Sequence, residues 1–195
     1  MSSQAPATMV DAHVMILRES GFDVTELTEA DIDDYVALVA SAYRGENSKQ
    51  GWTTEAHLVS GQRLDAPMAR EMLAEEDSRI ILVRSAEGQA VASVYLRKPV
   101  DGVAYLGVLA VSPLGQGQGV GSALMNLAEA WVSERWHAHS LRMSVVNKRS
   151  ELIAYYERRG YERTGEVEPF PYEDSRFGVP LVDDLEFVVL VKPLH

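Results

Sequence analysis

The sequence predicts a single domain of the α/β class (α+β mixed), with a central mixed β-sheet of about six to seven strands and helices on both faces. Three observations predict it. The 195 residues, 46% of them apolar, are enough for one full hydrophobic core. Short β-branched runs with a repeat of two alternate with longer stretches whose apolar residues fall at helical spacing. The apolar run 108–111 stops at Pro113, passes glycines 115, 117, 119 and 121, and enters an amphipathic helix, as a buried strand leading into a ligand loop would.

Residues 1–20 read as a weakly ordered N-terminal extension with one strand-like piece around 14–17, and residues 21–195 as the domain proper. Residues 22–27 alternate like a half-buried strand. Thr28 with Asp31 forms a capping-box start for a helix whose apolar stripe is Ile32, Tyr35, Val36, Val39 and Tyr43 and which ends near Gly45. A polar loop follows over 46–51, and residues 52–58 are expected to enter a second short helix. Asp65 and Pro67 mark the start of a further helix running to Glu75. Residues 79–84 and 89–96 are apolar strands joined by a tight turn at Glu87-Gly88, and 103–111 is the next strand. Leu124, Leu127, Ala128, Trp131 and Val132 give the helix after the glycines its buried face. A strand over 141–147, a helix over 151–159, a loop over 166–184 and a strand over 185–191 complete the order β-α-α-β-β-β-α-β-α-β.

The glycine loop is the most informative stretch. Without a Cβ the main chain turns sharply and a ligand can approach it. The helix behind leaves its first N–H groups unpaired, with the positive end of its dipole toward the loop, so the segment forms an anion cradle. Spacing excludes the common nucleotide versions. A P-loop ends in a lysine, and none lies between Lys98 and Lys148. A dinucleotide G-x-G-x-x-G would need glycine at Val120 or Ser122. A kinase loop needs the same spacing with later H-R-D and D-F-G motifs, which are absent.

What fits is Gln116-x-x-Gly119-x-Gly121 after a strand ending in Val111-Ser112-Pro113. This resembles the acetyl-CoA loop of the GCN5-related N-acetyltransferase (GNAT) superfamily. A second segment is similar to that superfamily's next motif. There a strand ends at Asn147, and a helix follows in which Tyr156 stands four residues before Gly160, with Tyr161 after it. The stretch from Asn147 to Tyr156 is slightly longer than the family's pattern, which weakens the assignment of Asn147. The resemblance implies direct attack of an amine on acetyl-CoA (coenzyme A as its carrier). It assigns Gln116, Gly117, Gln118, Gly119, Val120, Gly121 and Ser122 to the pyrophosphate. It assigns main-chain groups of Leu109, Ala110 and Val111 to the thioester oxygen, Asn147 to the cofactor, and Tyr156 to general-acid protonation of the leaving thiolate. Tyr156 as an ordinary core tyrosine is the other reading, although its neighbour Tyr155 suits that place better.

The general base is less legible. Many relatives place a glutamate on the strand before the loop, where this chain has Tyr105 as its one polar side chain. Candidates elsewhere are Glu46, Glu55, His57, Asp183 and Asp184, each of which reads better as surface charge. Tyr43, Arg44 and Trp52 at the end of the first helix, and the stiff segment carrying Phe170 and Tyr172, are candidate substrate walls; the latter also reads as a rigid connector. Lys148, Arg149, Arg158 and Arg159 are open between CoA phosphate contacts and a solvated basic face. His137 and His139 beside Trp136 lack further ligands, so no metal site is expected.

The formal net charge of −11 argues against nucleic acid as a partner and suits a cationic acceptor. No apolar run is long enough for a membrane span, and a secretory signal is not evident. There is no cysteine, hence no disulfide or thiol nucleophile, and a cytoplasmic location is the default expectation. A homodimer is an expected state of such a superfamily member. The expected function is acetyl-CoA-dependent N-acetylation of a primary amine on a small molecule or peptide. The alternative is a non-catalytic acyl-CoA-binding or sensing module of the same fold.

Overall fold

A computed structural model describes residues 8–44, 48, 53–113 and 115–194. In chain order its main elements are α1 (Met9–Glu19), β1 (Asp23–Glu26), α2 (Ile32–Tyr43), β2 (Val59–Ser60), α3 (Ala66–Ala74), β3 (Ser78–Arg84), β4 (Ala90–Val100), β5 (Val103–Val111), α4 (Val120–Trp136), β6 (Ser140–Val146), α5 (Ser150–Arg158), β7 (Glu162–Pro169), β8 (Val179–Pro180) and β9 (Glu186–Pro193). Seven strands form one sheet in the order β1-β3-β4-β5-β6-β9-β7, and β2 pairs with β8 apart from it. The sheet is mixed: β5 and β6 run parallel, and the other neighbours are antiparallel.

Helices cover both faces, and β3 shows why its sequence is apolar almost throughout. Ile81 and Val83 join the core beneath α1 and α4, whereas Ile80 and Leu82 join the core with α2 and α3. A strand buried on both sides loses its polar alternation. The α2 stripe behaves as expected, with Ile32, Tyr35 and Val39 buried and Val36 and Tyr43 packed against the same cluster. The capping box of Thr28 and Asp31 is present, on a short 3₁₀ turn that leads into α2.

Three expectations are corrected. The strand-like piece at 14–17 belongs to α1. Thr8 and Asp11 form its capping box, Val10 and Leu17 enter the core, and the Glu134 carboxylate of α4 accepts from the Met9 and Val10 N–H groups at 2.8 and 3.1 Å. That carboxylate satisfies first-turn donors and faces the positive helix end. Next, 162–169 is a strand where the expected loop was to begin at 166; seven of its eight residues are exposed without alternation, so periodicity gave it no signal. Finally, residues 53–58 form turns in place of a short helix. The loop over 46–51, the helix end at Gly45 and Trp52 lie outside the described residues, apart from Ser48.

Because Leu17 is fully buried within the main core, Leu17→Ala is expected to cost about 3 kcal/mol of stability. Urea unfolding checks this. A loosely attached extension would give less than about 0.5 kcal/mol.

Candidate active site

Two cavities meet where β5 and β6 part. The two strands pair only from Val103–Ser140 to Tyr105–Arg142. On its other edge β5 is bulged: Ser93 opposes Ala110 and Tyr95 opposes Gly107, so Val108 and Leu109 together face Val94. Val108 has a φ of 44°, a conformation that costs a β-branched residue on the order of 1–3 kcal/mol. Leu109 forms part of the wall of both cavities, and the Tyr43 hydroxyl donates to its carbonyl at 2.7 Å. Tyr43, Arg149, Leu152 and Tyr156 are the other residues common to both.

The glycine-loop cavity, about 340 Å³, is lined by Thr53, Val111, Gly115, Gln116, Gly117, Gly119, Gly121, Ser122 and Tyr155 besides those shared residues. Gly119 is the N-cap of α4 at φ 78°, and no side chain caps the helix there. The N–H groups of the first turn therefore point toward the loop without helical acceptors. Gly121 lies close to β5, where a Cβ would come within 3.2 Å of Val111 Cγ2. The Gln116 amide donates to Thr53 Oγ1 at 3.0 Å and ties the loop to the segment after α2. A cavity walled by glycines at a helix N-terminus has the donor set and close main-chain access that a pyrophosphate requires.

Not every expected cofactor residue lines this cavity. The Ala110 side chain is buried against the α2 core, and Val120 is buried at the start of α4. Gln118 is exposed outside the lining. Asn147 is placed elsewhere as well: its amide donates to the Asp184 carbonyl at 2.9 Å and its carbonyl accepts from the Glu186 N–H at 3.4 Å, so it fastens the turn before β9. Among the four basic residues left open, Arg149 lies between the cavities, Arg159 donates to Asn126 at 2.6 Å, and Lys148 and Arg158 line neither.

The second cavity, about 350 Å³, is walled by arginines, carboxylates and aromatics. Gly107 allows Tyr105 to fold back over the main chain, since a Cβ there would sit 2.8 Å from the ring. Tyr105 thus faces this cavity, and burial raises its phenol above the ordinary value. Glu55 lies at one end with its side chain 4% exposed, clamped by Arg44 at 2.7 Å and Arg149 at 3.4 Å, with Arg63 at 3.8 Å. Arg44 Nη1 also donates to the carbonyls of Gln62 and Phe177. Arg44 therefore lines the cavity, but its donors are committed to holding three chain segments together. Phe170 is in the wall, whereas Tyr172 packs on Phe170 outside it, its hydroxyl accepting from the Leu185 N–H at 2.7 Å. Of the base candidates, His57, Asp183 and Asp184 are not in the lining, and Glu46 lies outside the described residues.

Sequence reasoning missed Arg63 and gave Glu168, at the start of the stiff wall segment, no role of its own. Glu168 projects from β7 into the same cavity and accepts from Arg142 at 2.7 Å and Ser144 at 2.6 Å. Burial raises its carboxyl, but those two hydrogen bonds outweigh burial and hold it below the usual value. Alternation over β7 would have been the signal, and that strand lacks it. Tyr156, whose ring packs edge-on to Tyr155 and Tyr161, lines both cavities. Burial, with the nearby Tyr43 phenol adding to it, pushes its pKa well above the ordinary tyrosine value, so it stays protonated.

A seven-stranded mixed sheet, parted after a bulged strand and followed by a glycine loop, defines an acetyltransferase-type fold. Residues 38–161 match the Acetyltransferase (GNAT) family, and this chain belongs to that family. A search of curated proteins gave no match. Similar solved structures include a variant of the spermidine N-acetyltransferase of Vibrio cholerae, at 16% identity and TM-score 0.63, covering 89% of this chain and 94% of that one. An N-acetyltransferase from Staphylococcus aureus Mu50 is 14% identical with TM-score 0.65, over 88% and 97% of the two chains. The ribosomal-protein-S18-alanine N-acetyltransferase of Escherichia coli is 17% identical with TM-score 0.63, over 89% and 94%. At these identities the likeness is one of fold. Among the described residues no helix is long and apolar enough to cross a membrane.

Proposed function

We propose that the protein transfers an acetyl group from acetyl-CoA to a primary amine. The observation that carries this reading is that the two cavities meet at Leu109 and Tyr156. A binding module needs the glycine-loop cavity alone, whereas a transferase needs a second space opening onto the same point. Acetyl-CoA supplies an activated acyl group when bound. The main chain of residues 117–122 would hold its pyrophosphate, and the main chain at Leu109, turned by the bulge, would face the thioester oxygen. The acceptor nitrogen forms the new N–C bond as the C–S bond breaks. The Tyr156 phenol supplies a proton at Oη to the departing sulfur, and the amine's proton leaves through water. Ionised Glu168 lowers the cost of bringing a cationic amine into the cavity.

Calorimetric titration is expected to show saturable binding of acetyl-CoA, and an amine screen read as CoA release should find turnover. Gly119→Val, which puts a β-branched side chain at φ 78°, is expected to weaken acetyl-CoA binding at least tenfold, about 1.4 kcal/mol. Binding without turnover of any amine would favour the sensing module.

A further inference from the structure

We propose that the acceptor is an amine that also bears a carboxylate, an amino acid or close relative, and that Arg63 holds that carboxylate. This rests on the acyl-transfer reading and names its acceptor class. At one end of the arginine cavity, Glu55 gives Oε1 to Arg44 Nε at 2.7 Å and Oε2 to Arg149 Nη1 at 3.4 Å. Arg44 is also held by Gln62 and Phe177, and Arg149 by the Thr53 carbonyl.

Arg63 differs from both. Its Nε lies 3.8 Å from Glu55 Oε1, beyond hydrogen-bond reach, and among the described residues its N–H groups have no hydrogen-bonded acceptor. Yet its side chain is only 23% exposed and rests against the Tyr43 ring, 5.5 Å from the centroid. Arg63 lines the cavity, where a ligand can take up these donors, and its planar fork matches the two oxygens of a carboxylate.

The surrounding charges point the same way. Among the described residues, Arg44, Arg63 and Arg149 share the carboxylate of Glu55. This end of the cavity keeps an excess of positive charge that attracts an anion and repels a polyamine. Phe170, Phe177 and Phe187 give the carbon skeleton an apolar wall, and Glu168 supplies a counter-charge for the ammonium.

The test is steady-state acetylation of common L-amino acids, their carboxamides and the matching decarboxylated amines, by wild type and Arg63→Gln, with acetyl-CoA affinity measured by calorimetry. The acids are expected to exceed their amides at least tenfold in kcat/KM. Arg63→Gln should raise KM for the acids about 10- to 100-fold and abolish the preference, with acetyl-CoA affinity unchanged. Arg63→Lys should recover part of it. Amides or polyamines turned over as well as the acids, equal slowing of all acceptors by Arg63→Gln, or acetylation of the amides or amines with no amino acid acetylated would each overturn the proposal and leave the acyl-transfer reading standing. Failure to bind acetyl-CoA would overturn both. If Arg63→Gln does not fold, the wild-type comparison of acids with amides and the Arg63→Lys variant decide.

Discussion

Tyr156→Phe is expected to lower kcat by about 10²–10⁴-fold while leaving acetyl-CoA affinity within about twofold, because it removes a proton donor and little else. The phenylalanine ring can keep the edge-on contacts to Tyr155 and Tyr161, whose centroids lie 5.4 and 5.9 Å away. Among the described residues the Tyr156 hydroxyl has no hydrogen-bonded partner, so its loss orphans no buried group. The pH dependence has a definite sign. Burial raises the phenol above 10.0, so the acid form persists below that value and is lost only as pH climbs through the raised pKa. Activity should therefore show no alkaline decline from this group below pH 10. An unchanged kcat would remove Tyr156 as the acid. An equal loss of acetyl-CoA binding would make it a packing residue.

Glu55→Gln is expected to act on stability. Glu55 is nearly fully buried and is the common acidic partner of Arg44, Arg63 and Arg149. Removing its charge leaves guanidinium groups packed together without compensation, a class of change that costs about 3–5 kcal/mol. For a chain of this size that lowers Tm by roughly 6–20 °C. The effect should extend along Arg44 to the Gln62 and Phe177 carbonyls and loosen the segment around β8. Differential scanning calorimetry checks it. A variant with unchanged Tm but a lost pH dependence of turnover would instead make Glu55 the general base.

The sequence disclosed the parts of this site that are local in the chain. The strand, glycine loop and helix start lie within residues 103–122, and the residue types alone disclose their backbone needs. Tyr156 was legible because its spacing to Gly160 is fixed by one helix and its stop. The capping-box residues Thr8 and Asp11, with Val10, Val14 and Leu17 at helical spacing, were a usable signal for α1 that the small polar residues around them obscured. The acceptor side was hidden for a different reason. Arg63 stands between β2 and α3, and Glu168 stands on a strand whose residues are mostly exposed. Glu168 reaches the cavity because β9 lies between β6 and β7 in the sheet, and Arg63 because Arg44 ties the neighbouring Gln62 carbonyl to the end of α2, arrangements that no local pattern encodes. The motif assigns Asn147 to the cofactor, whereas in the structure the turn before β9 takes up both ends of its amide.

The central claim is that the two cavities form one acyl-transfer centre at Leu109 and Tyr156. A crystal structure with acetyl-CoA tests it most directly. The expected result is the pyrophosphate against the main chain of residues 117–122, the thioester oxygen facing the main chain of Leu109, and the sulfur toward the Tyr156 hydroxyl. Acetyl-CoA bound away from the glycine loop, or bound there with its acetyl group remote from Tyr156, would contradict it.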